Sequence, residues 1–314
     1  MNTPELIMFA GIPASGKSTY SKKYADMGYR VLSIDVIRLD AAGSDDSFLL
    51  SKEDRDALNA RVIDRVKQES AESLRQGISV VVDATNLIRK KRIDQLKAVE
   101  GIPCRKKCML FITSGAVCLE RNSRREGVAR VPDWGMEDMF CRFECPCYSE
   151  GWDEITVIAD PTPYSFPFED TVDFDQMNPH HARTLHGHLE GARAYAEDHG
   201  YSPMLQRVAY FHDIGKLYTR SFKNAKGESC DTAHYYRHEN YGAFLYLAHM
   251  CCGRELSRDE ADAVLYEANL INCHMRPLNV WRGSDKRKKK DVRFFGESFV
   301  EDLEKLHEAD VASH

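Results

Sequence analysis

Two groups of residues in this 314-residue sequence could do chemistry. The first opens with Gly11-Ile12-Pro13-Ala14-Ser15-Gly16-Lys17-Ser18-Thr19. In the pattern G-x-x-x-x-G-K-[ST], glycines let the chain curl so that backbone N–H groups and a helix N-terminus face phosphates. Gly11, Ser15, Gly16, Lys17, Ser18 and Thr19 are therefore candidate ATP ligands. Lys17 would reach the β- and γ-phosphates and Ser18 would hold Mg²⁺. Asp35, at the end of an apolar run, could accept the proton of an attacking hydroxyl, and Arg38 could hold a phosphate bidentately. An ordinary helix N-cap is the plain alternative for Asp35. Asp83, Thr85 and Asn86 end a further apolar run and could order Mg²⁺ or an acceptor. Arg121, Arg124 and Arg125, followed by Val131-Pro132, have the composition of a lid over the γ-phosphate, or of a solvated basic helix.

The second group is rich in histidine. All twelve histidines lie after residue 179. His188, His212-Asp213, His238, His274 and Asp310 offer imidazole and carboxylate ligands suited to first-row divalent metals. His234 stands at i, i+4 from His238, which on a helix would place both on one face. His180, His181, His186, His199, His249, His307 and His314 read as surface or packing residues.

The elements that must position these groups change character along the chain. Apolar runs at Leu6–Ala10, Val31–Ile34, Ser79–Val82, Cys108–Thr113 and Ile155–Ile158 alternate with helical patterns such as Ser51–Arg75. That alternation predicts a doubly wound α/β domain with a parallel sheet over residues 1–160. Residues 161–179, with four of the eleven prolines and no periodicity, read as a linker. Residues 180–314 read as all-α, with helices near 181–199, 203–219, 235–252, 257–273 and 297–312, and Ser202-Pro203 as a helix start.

The net charge of −6 argues against coating nucleic acid by bulk electrostatics. A polynucleotide would be gripped locally, and the basic clusters Arg89–Arg92, Arg105–Lys107 and Lys286–Lys290 read first as solvated faces. The ten cysteines lack paired spacing and read as reduced thiols, with Cys141, Cys145 and Cys147 a weak metal candidate. No apolar stretch is long enough to span a bilayer and the start lacks a secretory pattern, so a soluble, cytoplasmic protein without membrane association is expected.

Residues 4 to about 158 resemble the 5′-hydroxyl polynucleotide kinase family in GIPASGKST, Asp35 with Arg38, the DATN of Asp83–Asn86, RNSRR followed by VP, and FECPCYSEGWD. The resemblance implies ATP and Mg²⁺ at Lys17 and Ser18, Asp35 as general base, and Arg38 on the acceptor's 3′ phosphate. It also implies Arg121 on the nucleotide and Arg125, or its neighbour Arg124, on the transferring phosphoryl. The D-x-D-G-T signature of the phage enzyme's phosphatase is absent. Residues 180–314 instead resemble the HD superfamily of metal-dependent phosphohydrolases, in its variant with room for two metals. That resemblance implies one or two ions of Mn²⁺, Co²⁺, Ni²⁺, Fe²⁺ or Zn²⁺ on His188, His212, Asp213, His238, His274 and Asp310. Asp213 would bridge metals or orient water, and Lys216 would contact phosphate.

Together the resemblances imply end healing, probed as RNA repair: phosphorylation of a 5′-hydroxyl and removal of a 2′,3′-cyclic or 3′-phosphate. The partners would be RNA or DNA ends and a ligase acting downstream. Bacterial fusions of the same two modules carry them in the opposite order. A small-molecule kinase fused to a nucleotidase is the alternative.

Overall fold

The computed structural model describes residues 3–42, 51–179 and 182–314, so His180 and His181 lie outside it. The chain divides into two compact units. The first comprises residues 1–136 and 150–160; the second comprises 137–149 and 161–314.

All five expected strands form in the first unit: β1 (Glu5–Ala10), β2 (Arg30–Ser33), β3 (Val80–Asp83), β4 (Arg105–Ile112) and β5 (Glu154–Ala159). They pair in parallel in the order β2-β3-β1-β4-β5. Val80, Val81 and Val82 are wholly buried, as an unbroken apolar run in a strand covered on both faces must be. On one face Ile7, Phe9, Val81, Met109 and Phe111 form a core closed by Tyr20 and Tyr24. The covering helices are α1 (Lys17–Asp26), α2 (Ile34–Ala42), α3 (Lys52–Arg75), α4 (Arg89–Lys97), α5 (Gly115–Ser123) and the start of α6 (Asp133–Cys141). Ser51 caps α3 by accepting from the Asp54 N–H at 3.1 Å. Because β1 has β3 on one side and β4 on the other, the strand order reverses at the carboxyl end of β1, where open α/β sheets bind ligands.

In the basic cluster Arg89–Arg92, Lys90 and Lys91 are exposed as expected but Arg92 is not. Arg92 is fully buried and forms a two-pronged ion pair with buried Glu150 at 2.7 and 2.6 Å. Glu150 also accepts from the Trp152 indole at 3.0 Å, and Arg92 donates to the Asn86 carbonyl at 2.9 Å.

The second unit is built from α7 (Leu185–Asp198), α8 (Pro203–Phe211), the single turn α9 (Lys216–Thr219), α10 (His238–Cys251), α11 (Arg258–Cys273), α12 (Asp285–Phe295) and α13 (Glu297–Ala312). Ser202 caps α8 with proline at its first position, and α11 opens with a Ser257/Glu260 capping box. An antiparallel hairpin, β6 (Arg220–Lys223) with β7 (Ser229–Tyr235), interrupts the helices. It was not legible beforehand, because SCDTAHY has little apolar alternation and its turn rests on Asn224 and the left-handed Gly227. For the same reason His234 lies on β7, not on a helix face shared with His238.

The segment expected to be a linker packs with the second unit, burying Phe166, Thr171 and Gln176. Residues 137–149, expected with the first half, also belong to the second unit, where the Phe140 and Phe143 rings lie 4.9 and 5.6 Å from that of Phe244. The ten cysteines are thiols. Among the described residues no helix is long and apolar enough to cross a membrane.

Candidate active sites

In the first unit the loop between β1 and α1 closes on itself. Gly16 has φ +97°, a left-handed conformation that favours glycine. A side chain at Gly11 would strike the Phe111 carbonyl at 2.8 Å. Lys17 is buried and donates to the Gly11 and Ile12 carbonyls at 2.9 and 2.7 Å. Burial pulls its pKa down to about 8; Arg125 pushes the same way, while Asp83 and Asp35 oppose it. Ser18 and Thr19 are exposed in the first turn of α1, where their backbone and hydroxyl groups can meet phosphate and cation.

Asp35 sits in the first turn of α2 with its side chain 88% exposed, paired to Arg38 at 2.8 Å. Asp83, at the end of β3, accepts from the Ser21 hydroxyl. Ser21 was not foreseen, although it lies one turn beyond Lys17 on α1. The Thr85 carbonyl accepts from the Gly11 N–H at 2.9 Å. Asn86 is buried, at φ +42°, and its amide donates to the Phe9 carbonyl at 2.7 Å, which braces β1. Arg121 pairs with buried Asp160 at 2.6 Å. Arg124 pairs with Glu120 on its own helix, and Arg125 donates to the Ala129 carbonyl at 3.3 Å.

In the second unit four imidazoles and two carboxylates converge. α7 supplies His188, the α8–α9 connection supplies His212 and Asp213, α10 begins with His238, His274 follows α11, and α13 supplies Asp310. The helix expected over 203–219 breaks at 212–215, and that break turns His212 and Asp213 inward. Gly215 makes the approach possible, because a Cβ there would lie 2.0 Å from the His238 carbonyl. Asp213 Oδ2 lies 3.0 and 3.4 Å from Nε2 of His188 and His212, and Asp310 Oδ1 lies 3.3 Å from each. The other oxygen, Oδ1, lies 3.0 and 3.3 Å from Nε2 of His238 and His274.

The donor set fits divalent metal. Nδ1 of His212, His238 and His274 each lies 2.6–2.7 Å from a backbone carbonyl, of Ala209, Tyr235 and Ile271 respectively. Each Nδ1 therefore carries the N–H, and each Nε2 is left to bind a cation. His188 differs: its Nδ1 lies 2.8 Å from Ser313 Oγ, which in turn donates to the Asp310 carbonyl at 2.7 Å. Buried Asp213 Oδ1 receives no hydrogen bond. The ligands fall into two sets sharing Asp213: His188, His212, Asp213 and Asp310, and Asp213, His238 and His274.

In the cage the carboxylates and the cationic groups around them stabilise one another's charges. Despite burial, Lys216, His212 and His238 hold Asp213 well below the usual carboxylate range, and His188, His212 and His314 do the same for Asp310. His212, opposed by burial, is pushed up to about 10 by Asp213 and Asp310. Lys216 is buried, with Nζ 2.5 Å from Asp213 Oδ2 and 2.9 Å from Gln176 Oε1. Gln176 and Ser313 were both missed, the first because it lies in the presumed linker. All four non-glycine residues with positive φ among the described residues adjoin these two sites: Ala14, Asn86, Met177 and Arg237.

Residues 6–146 match the sequence model of the family described as AAA domain. That match agrees with the loop geometry and the strand order. The first unit has the P-loop kinase fold. The chain is 26% identical, over 163 residues, to an L-seryl-tRNA(Sec) kinase of Methanococcus maripaludis; the match covers 50% of this chain and 59% of that relative. Among solved structures, similarity extends to a protein described as a kinase from Chloroflexus aurantiacus, 21% identical with a TM-score of 0.42 over 50% of this chain and 86% of that one. It extends also to a gluconokinase from Sinorhizobium meliloti, 21% identical with a TM-score of 0.35 over 50% and 83%.

Proposed function

We propose that the protein heals broken nucleic-acid ends, using an ATP-dependent 5′-hydroxyl polynucleotide kinase in its first unit and an HD-type metal phosphohydrolase in its second. The observation that carries the reading is Asp213, whose two oxygens face two separate sets of imidazoles. Two divalent cations held there would acidify a water and clamp phosphoryl oxygens. Lys216, 2.5 Å from Asp213, is placed to bind a phosphate oxygen, and Gln176 orients its ammonium.

In the kinase-fold unit the loop amides and Lys17 hold the phosphates of ATP, and Ser18 holds Mg²⁺. Asp35 accepts the proton of the attacking 5′-hydroxyl, Arg38 binds the acceptor's phosphate, and Arg125 meets the transferring phosphoryl group. Asp83 and Thr85 line the acceptor side. The seryl-tRNA kinase relative supports an acceptor carried on RNA, and RNA bearing a 2′,3′-cyclic or 3′-phosphate would be the substrate of the second unit. A downstream ligase would then seal the healed ends.

The test is end-group analysis of nicked RNA carrying a 5′-hydroxyl and a 2′,3′-cyclic phosphate, with labelled ATP and with Mn²⁺, Co²⁺, Ni²⁺, Fe²⁺ and Zn²⁺ compared. We expect 5′-phosphate and free 3′-hydroxyl ends. Labelling of free nucleosides or sugars alone would replace this reading with a small-molecule kinase joined to a nucleotidase.

A further inference from the structure

The kinase-fold unit and the imidazole cage leave the lysine run unused. In the structure it forms α12, and among the described residues Lys288 alone of its cations is spent on an internal pair. Lys288 pairs with Glu304 of α13, but the side chains of Lys286, Arg287, Lys289, Lys290 and Arg293 make no ion pair or hydrogen bond among the described residues. Lys286, Lys289, Lys290 and Arg293 stand at i, i+3, i+4 and i+7, on one stripe of the helix. Lys286, Lys289 and Arg293, with Val292, border one open stretch of surface. Like charges at this spacing destabilise a helix, in a chain whose net charge is −6. A stripe of this kind is an attractor for a polyanion, local where the whole molecule is not.

The stripe is tied to the cage. Arg276, two residues beyond His274, forms a two-pronged pair with buried Asp291 on the opposite side of α12, at 2.7 Å for both prongs. The Trp281 indole donates to the same carboxylate at 2.7 Å. Through Lys288 and the stacked rings of Phe295 and Phe299, 4.6 Å apart, α12 also packs on α13, which carries Asp310. The basic stripe is thus braced against two elements that supply metal ligands.

We propose that this stripe seats the sugar–phosphate backbone of a polynucleotide strand whose 3′ end enters the cage; the proposal rests on the end-healing reading. A bound strand would release counterions in proportion to the phosphates it neutralises, so the stripe should appear in the salt dependence of binding.

The test uses full-length protein and the triple variant K286Q/K289Q/R293Q. Fluorescence anisotropy follows a short single-stranded RNA ending in a 2′,3′-cyclic phosphate, and turnover of bis(p-nitrophenyl) phosphate with Mn²⁺ reports the cage. The variant should bind RNA about 10- to 100-fold more weakly at low salt, with a log–log salt slope smaller by about 2, from three contacts at ~0.7 each. Turnover of the small diester should be unchanged, which also shows that the variant is folded. Equal RNA affinity and slope in the two proteins would overturn the proposal while leaving end healing intact. No RNA binding by the wild type, with the small diester still hydrolysed, would overturn both. If instead the variant loses only capture of phosphatidylserine vesicles, the stripe belongs to a membrane and the proposal is wrong.

Discussion

Lys17 and Ser313 show how single side chains set the chemistry of the two sites. Phosphate would restore the full charge of Lys17, whose free-state pKa burial lowers to about 8. Below pH 8 the ammonium is already charged and affinity should be flat. As pH rises past 8, binding must take up a proton, so affinity should fall. Calorimetry with ADP at pH 7 and pH 9, without Mg²⁺ and in two buffers, should show weaker binding and proton uptake at the higher pH; equal affinities would sink the assignment. Ser313 holds the His188 imidazole through its hydroxyl, whereas Nδ1 of the other three imidazoles leans on a backbone carbonyl. Ser313→Ala should therefore lower Mn²⁺ affinity about 10-fold or more, and Ser313→Thr should restore it. Direct metal titration decides, independent of turnover.

At the scale of elements, the α8–α9 break matters most, because it delivers His212 and Asp213 while passing within contact of α10. Gly215→Ala would press a methyl against the His238 carbonyl and displace that ligand. We expect loss of the second metal, read as halved stoichiometry by mass spectrometry, with the first retained; two metals at full affinity would contradict the geometry. In the first unit, Arg92→Ala would strip buried Glu150 of its two-pronged partner, leaving the Arg89 guanidinium at 3.5 Å, and should cost about 3 kcal/mol in thermal unfolding.

The same elements show what could be read in advance. The five strands were legible because VVVD and ELIMFA are continuous apolar runs, and the helix of Lys52–Arg75 because Leu58, Val62 and Val66 repeat at helical spacing. The metal-ligating types were legible as types. Their second partners were not: Ser313, Gln176 and Ser21 are ordinary residues until folding brings them near His188, Lys216 and Asp83. Arg92 looked solvated because its neighbours Lys90 and Lys91 are, and only the distant Glu150 decides otherwise.

For the whole molecule, the proposed kinase and phosphohydrolase in two compact units predict separable losses. Lys17→Ala should abolish phosphorylation and spare diester hydrolysis, and Asp213→Ala should do the reverse. Paired assays on one preparation of each variant check this, and a variant that loses both activities or neither would reject the corresponding site.

The second unit borrows residues 137–149 before the chain returns to lay down β5 in the first. A cut at residue 160 would consequently strip Phe140 and Phe143 from Phe244 and strand two aromatic rings on a fragment with nothing to cover them. The halves are not interchangeable cassettes, and a recombination event at that junction would hand each new host an incomplete partner.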